Sequence, residues 1–415
     1  MTSRPFATIL VACSLLTAPA RAEVASGTLR GGAQWTAETP PQWNGTLLLY
    51  SRGYSFNLPP AEAAPTALRA ELLKAGYAIA GSNYGASGWS VEQAVPAQIE
   101  TIAAFAGRFG RPRNVIAWGY SMGGLVTTAL AEQRSAGISG AAPFCSSMGG
   151  AVGMMNMGLD GAFAFRTLIA PRSDIRLVGI DDDLTNAKRV KAAIDRATTT
   201  PQGRARIALA GVLAGLPDWT SGEAPPATDD ERIRQMAAVV GPGSFLPRVD
   251  QERRAGGNFS WNSGVDYRKQ LARSGRLAFV QAAYRRAGLD LSADLARLSA
   301  APRIAAAPGA VDYMMRNYTP TARPLVPMVA VQAVGDGITS PSLQQGYVDA
   351  ARGDVRSLWL RQSGHCTFKP ATVLSALNYL QRRVTSGRWP ARPADFADHR
   401  APPMLRPCYR GQRCR

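Results

Sequence analysis

Histidine is scarce in this chain: His365 and His399 are the whole supply. Any chemistry that needs an imidazole is therefore confined to two positions, and a histidine-rich metal cluster is excluded. There is no C-x-x-C pair either, so a structural zinc site has no support. Lysine is nearly as rare, at Lys74, Lys188, Lys191, Lys269 and Lys369, so arginine carries the formal charge of +18. No basic run is interleaved with aromatic residues, which argues against a nucleic-acid module. The charge reads as an arginine bias over a solvated surface, with attraction to polyanions, anionic lipid or acidic substrates as the alternative. Past the N-terminus no apolar run approaches the roughly 20 residues of a membrane span. With 46% hydrophobic and 18% charged residues, the composition is that of a folded globular protein rather than a disordered one.

The N-terminus is the exception to this even texture. Arg4, a short apolar stretch over 9–16 and the small-x-small pattern Ala20-Arg21-Ala22 make residues 1–22 a signal peptide, with Glu23 as first mature residue. The apolar stretch is too short for an anchor. Leu10-Val11-Ala12-Cys13 also resembles a lipoprotein signal, which would anchor the chain through Cys13. Either way the chain is expected to be exported, to a periplasm or the medium. Removal of Arg4 and Arg21 takes the charge from +18 to +16. Cys145, Cys366, Cys408 and Cys414 then remain, an even set in an oxidising compartment, with three possible pairings. Closeness in sequence pairs Cys408 with Cys414 and leaves Cys145 for Cys366.

From residue 45 the chain alternates strand and helix. Leu47-Leu48-Leu49-Tyr50 is a buried strand ending in the turn Ser51-Arg52-Gly53-Tyr54. A helix is expected over 61–75, a strand at 77–80, and a helix from 90 to 109 opened by a capping box between Ser90 and Gln93. Val115-Ile116-Ala117-Trp118 is the next strand, then a helix to 133 and a strand over 138–144. This rhythm predicts a mostly parallel sheet flanked by helices. It stops between 149 and 320, where helix-like segments such as 203–214 and 263–287 dominate. It resumes with a strand at 327–334, a helix at 342–352, a strand at 355–360 and a helix at 371–385. The expected organisation is signal peptide 1–22, first part of the core 23–148, helical cap insertion 149–320, second part of the core 321–388, and a Pro/Arg-rich tail 389–415 lying irregularly on the surface.

The third strand runs into Gly119-Tyr120-Ser121-Met122-Gly123-Gly124 and a helix follows. A serine hydroxyl is a poor nucleophile unless a base, an orienting acid and oxyanion donors surround it. A G-x-S-x-G turn between strand and helix presents a serine for that use, so Ser121 is the candidate nucleophile. His365, in Gly364-His365-Cys366, follows the last strand at the sheet edge where open parallel sheets build their sites, so it is the candidate base. His399 lies in the tail and reads as an exposed polar residue. Asp336, in Gly335-Asp336-Gly337, follows a strand at the same edge and is the candidate acid. Asp354 precedes its strand and Asp349 sits on the intervening helix.

The order Ser121, Asp336, His365 in these strand contexts resembles the α/β-hydrolase superfamily, over residues 45–144 and 327–385. The resemblance implies an α/β-hydrolase fold with a large, mainly helical cap insertion. It implies oxyanion donors at the backbone N–H of Met122 and of a residue after the first buried strand. The latter is Tyr54, in Arg52-Gly53-Tyr54, where the family commonly has His-Gly-x. A disulfide bracing the histidine is similar to the tannase and feruloyl esterase group. That group has a cysteine before the nucleophile, however, where this chain has Tyr120. Met154, Met155, Met157, Phe163 and Phe165 open the insertion and serve either as an acyl pocket or as plain core.

The activity implied is hydrolysis of small or polymeric carboxylic esters through an acyl-enzyme, which needs no metal or organic cofactor. Peptidase and acyltransferase activities of the same fold are alternatives, as is a non-catalytic binding protein. A β-propeller, typical of one peptidase branch, is not visible.

Overall fold

A computed structural model describes residues 22–245 and 247–414. Apart from Ala22, the expected signal segment, with Cys13, lies outside the described residues.

The strands are β1 (Glu23–Thr28), β2 (Gln34–Thr39), β3 (Thr46–Ser51), β4 (Ala78–Ser82), β5 (Asn114–Tyr120), β6 (Gly140–Phe144), β7 (Met328–Gly335) and β8 (Val355–Ser363). Helices α1 (Thr66–Lys74), α2 (Val91–Phe109) and α3 (Met122–Ala131) belong to the first half of the sheet unit. Between β6 and β7 come α4 (Ala151–Leu168), α5 (Asp183–Thr198), α6 (Pro201–Leu213), α7 (Asp229–Ser244), α8 (Val249–Ala255), α9 (Tyr267–Arg273), α10 (Leu277–Arg286), α11 (Leu291–Ala300) and α12 (Pro308–Tyr318). Helices α13 (Pro341–Ala350) and α14 (Pro370–Ser386) complete the sheet unit.

One sheet holds all eight strands in the order β1-β2-β4-β3-β5-β6-β7-β8. Pairing is antiparallel for β1 with β2 and β2 with β4, and parallel from β4 to β8. Side chains alternate along each strand, so each parallel strand feeds two cores. Leu47, Leu49, Val115 and Ala117 face α2 and α3, while Leu48, Tyr50, Ile116 and Trp118 face α1 and α14. Each fully buried leucine here stabilises the fold by roughly 2 kcal/mol. The apolar runs read from the sequence are the strands covered on both faces.

The helices between β6 and β7 have a core of their own, built from Phe163, Phe165, Ile207, Leu209, Tyr267 and Tyr284 among others. Local signals start its helices: Thr200 caps α6 by accepting from Gly203 N, with Pro201 in the first turn. Helix α7 opens on a capping box between Thr228 and Glu231. Helix α4 joins two cores. Met154, Met155 and Met157 pack in the sheet's core and Phe163 and Phe165 in the insertion's, so these side chains are core.

Several expectations are corrected. Strands β1 and β2 were not anticipated; β1 offers only Val24 as a large apolar residue, and its place is set by its register with β2. No capping box forms at α2. The Ser90 hydroxyl caps nothing, and Gln93 Oε1 instead accepts from Arg254 of the insertion at 3.1 Å. The helix expected over 263–287 is two, α9 and α10, separated at Gly275, which adopts φ 71°. The tail is irregular but not superficial. Ala397 N donates to Trp359 O on β8, Phe396 enters one core, and Met404, Leu405 and Tyr409 enter the other. His399, expected to be exposed, is half-buried with its ring 5.3 Å from that of Trp359.

Candidate active site

Ser121 occupies the turn between β5 and α3 with φ 56° and ψ −120°, a conformation rare for a non-glycine residue. The tightness of this turn explains its glycines. A Cβ on Gly119 would lie 2.3 Å from Ser51 O, and one on Gly123 2.0 Å from the same atom. Only glycine permits that approach, so β3 and the turn pack backbone to backbone. Ser121 N donates to Phe144 O at 3.1 Å, and Ser147 N donates to Ser121 O at 3.4 Å. Met122, next in the chain, begins α3 and is buried.

Asp336 follows β7 and is fully buried. Its Oδ1 accepts from the backbone N–H of Ile338 at 2.9 Å and of Thr339 at 3.0 Å. Oδ2 lies 2.8 Å from His365 Nδ1 and 2.9 Å from Thr339 Oγ1. On the other side of the ring, His365 Nε2 lies 3.0 Å from Ser121 Oγ. The three side chains singled out in the sequence thus form one continuous hydrogen-bonded chain. With a carboxylate at Nδ1, the imidazole keeps its proton there and turns a lone pair toward the serine hydroxyl. Ser121 stays partly accessible, as does the edge of His365.

Thr339 is a member of this arrangement that sequence reasoning missed. Its hydroxyl reaches both Asp336 Oδ2 and Cys145 O, the latter at 2.8 Å, and so ties the Asp336 loop to the end of β6. The signal was present: an aspartate followed at short range by threonine in Asp336-Gly337-Ile338-Thr339 is an Asx-turn pattern.

The histidine loop is held from three sides. Gly364 N donates to Gly335 O at 3.1 Å, joining the His365 loop to the end of β7, just before Asp336. Cys366 is disulfide-bonded to Cys145, with Cα atoms 5.4 Å apart, and both residues have positive φ. Phe368 packs on Tyr120 and Phe144 with ring centroids 5.9 and 5.6 Å away. Cys366 Sγ sits 3.3 Å from His365 Nε2. The sulfurs of Cys145 and Cys366 and the His365 ring are close enough together to chelate a metal, but a disulfide has no thiolate to offer. The second disulfide joins Cys408 to Cys414 within the tail.

Gly53 passes close to Ser121; a Cβ placed on it would lie 3.6 Å from Ser121 Cβ. Tyr54 is the next residue along this segment. Arg52 turns inward rather than toward the site. Its guanidinium donates to Gly53 O and Asn83 O at 3.0 Å each and to Ala86 O, and it lies 4.4 Å over the Tyr84 ring. Burial holds its pKa below the ordinary arginine range.

The strand order, with a serine turn between β5 and α3, defines the fold as that of the α/β-hydrolases, as the sequence resemblance implied. No protein-family model matches the chain. It is 29% identical over 413 residues to an o-phthalyl amidase of Xanthobacter agilis, covering 89% of each. Similar solved structures include an esterase of Pyrococcus furiosus at 10% identity, covering 91% of this chain and 96% of that one, with a TM-score of 0.40. Lipase A of Candida antarctica in its closed state is 14% identical over 93% of this chain and 87% of its own, with a TM-score of 0.42. The overlap with both is loose. The chain has the fold of the α/β-hydrolases. Among the described residues no helix is long and apolar enough to cross a membrane.

Proposed function

We propose that the chain is a serine hydrolase that cleaves carboxylic acyl bonds, esters in the first instance, with Ser121, His365 and Asp336 as its triad. The observation that carries this reading is the unbroken contact from Ser121 Oγ to His365 Nε2 at 3.0 Å and from Nδ1 to Asp336 Oδ2 at 2.8 Å. Ser121 Oγ attacks the carbonyl carbon while its proton passes to His365 Nε2. The N–H groups of Met122 and Tyr54 hold the oxyanion, and Asp336 fixes the tautomer and offsets the charge of the imidazolium. Collapse expels the leaving group with the proton from His365 and leaves the acyl group on Ser121. Water then gives a proton to His365 and attacks the ester, and a second collapse releases the acid and restores the serine.

A second reading is amide hydrolysis, favoured by the similarity to an o-phthalyl amidase along 89% of the chain. The acyl-enzyme is the same and only the leaving group differs. On either reading the helical insertion, residues 149–320, acts as a cap over the sheet edge. This is supported by its separate core and by Asp250 and Arg254 of α8, which bond Trp89 N and Ser87 O beside the site at 2.8 Å each. The mature chain is placed in an oxidising compartment, periplasmic or extracellular, a placement supported by two disulfides.

The test is hydrolysis of nitrophenyl esters from acetate to long acyl chains, and of the matching nitroanilides, by the mature protein and by Ser121→Ala. Turnover of one series and a loss on the order of 10⁴-fold in the variant are expected. A folded wild type that turns over neither series, or a variant that keeps the activity, overturns the proposal.

A further inference from the structure

Two loops meet beside the nucleophile and carry three aromatic rings. Tyr54 and Phe56 come from the segment after β3, and Trp89 from the segment before α2. The Tyr54 ring lies 5.1 Å from Phe56, nearly perpendicular at 88°, and 5.9 Å from Trp89. The loops are paired, with Gly88 N donating to Ser55 O at 2.7 Å. Arg52 fastens both from beneath through Gly53 O, Asn83 O and Ala86 O, with no carboxylate partner among the described residues. Asp250 and Arg254 fasten the second from the insertion. The rings thus stand on a rigid base although they lie outside regular structure.

This lip keeps apolar surface in water. Phe56 is 70% exposed and Leu58 52%, whereas the other large exposed apolar side chains, Val24, Leu184 and Leu325, are scattered singly over the surface. Isolated exposed apolar residues are ordinary, but a cluster beside a reactive group marks a place where something binds. Trp89 is 6% exposed, and its Nε1 is a buried donor without a hydrogen-bond partner.

We infer that Tyr54, Phe56 and Trp89 form a subsite for an aromatic ring carried by the acyl group of the substrate. The inference rests on the proposed function only in placing the scissile carbonyl at Ser121. A group attached to a carbonyl whose oxygen is held by Tyr54 N–H lies within reach of the Tyr54 side chain and its neighbours. The edge-to-face arrangement of Tyr54 and Phe56 is extended by a further flat ring, which presents faces and edges of opposite polarity. A saturated ring of the same size has neither, and a flexible chain loses rotamer freedom on binding.

The experiment compares methyl benzoate with methyl cyclohexanecarboxylate, matched in size and sharing a leaving group, in wild type and in Phe56→Ala. The exposed position of Phe56 makes this a change the fold tolerates. The ratio of kcat/KM for the aromatic over the saturated ester is expected to fall roughly fivefold in the variant. An unchanged ratio overturns the inference, as does the same fall for phenyl acetate over ethyl acetate, which would place the ring on the leaving-group side. Calorimetry with benzoate and cyclohexanecarboxylate on the Ser121→Ala protein reads the subsite without turnover. Tighter binding of benzoate, lost on adding Phe56→Ala, supports the subsite even if the serine mechanism fails, and equal binding of the two overturns it.

Discussion

Asp336 at the sheet edge and Asp160 in the insertion are both completely buried carboxylates, and the two regions use them in opposite ways. Asp160, on α4, accepts from Tyr267 OH at 3.1 Å, Gln270 Nε2 at 2.8 Å and Arg406 Nη1 at 2.9 Å. Burial pushes its carboxyl upward against the pull of Arg406. Asp336 faces two backbone amides, a threonine hydroxyl and one imidazole. The partners of Asp160, a phenol, an amide and a guanidinium, all donate to it and, among the described residues, lead to no other reactive group. The ring beside Asp336 also faces the Ser121 hydroxyl, at 3.0 Å. Burial and charge alone therefore do not mark a site in this molecule. What distinguishes the sheet edge is an imidazole that contacts a serine hydroxyl on its far side as well as the carboxylate.

Neutralising each aspartate without changing its shape separates the two roles. Asp336→Asn is expected to lower kcat/KM on the order of 10⁴-fold while melting close to wild type, because the amide no longer selects the working tautomer. Asp160→Asn reverses the pattern. Loss of one member of a buried ion pair costs on the order of 4 kcal/mol, read as a shift in the denaturant midpoint, while the rate per folded molecule holds. Parallel loss of stability and activity in both variants would erase the distinction. A smaller effect sharpens it. Cys145→Ala/Cys366→Ala is expected to cost about 3 kcal/mol of stability and, because Cys366 adjoins His365, to lower kcat as well. A double variant with full activity would remove the disulfide from the positioning of His365.

The smallest effect concerns the second histidine. Burial, with Arg361 nearby, lowers the His399 pKa from 6.5, so the folded chain binds fewer protons there than the unfolded chain. That contribution is fully present above 6.5 and is lost as pH falls through the lowered value. The melting temperature should therefore fall as the pH drops from 6.5 through the lowered value, and His399→Gln should flatten that fall. An identical pH profile for the variant would show that the tail histidine is uncoupled from folding.

Legibility in the sequence followed the same division. The parallel strands could be read because burial on both faces leaves continuous apolar runs such as Leu47-Leu48-Leu49-Tyr50, and the edge they define placed Ser121, Asp336 and His365 together. What escaped depends on partners distant in sequence. Strand β1 is held by register with β2 and not by composition. The cap expected from Ser90 and Gln93 gave way to Arg254, more than a hundred residues later, and the tail's burial follows from Arg406 reaching Asp160. Thr339 was missed because its second contact, Cys145 O, lies across the whole insertion.

The bond between Cys145 and Cys366 spans 221 residues of sequence and so closes a covalent ring containing every helix from α4 to α13. Ser121 lies on the chain before the ring, while Asp336 and His365 ride within it. A protease cutting once anywhere between α4 and α12 would put Ser121 and His365 into different peptides and still release nothing. The nicked protein would migrate as one species until a thiol was added, and then as two. The segments that carry Ser121 and His365 are in this sense fastened to each other directly, and not only through the insertion.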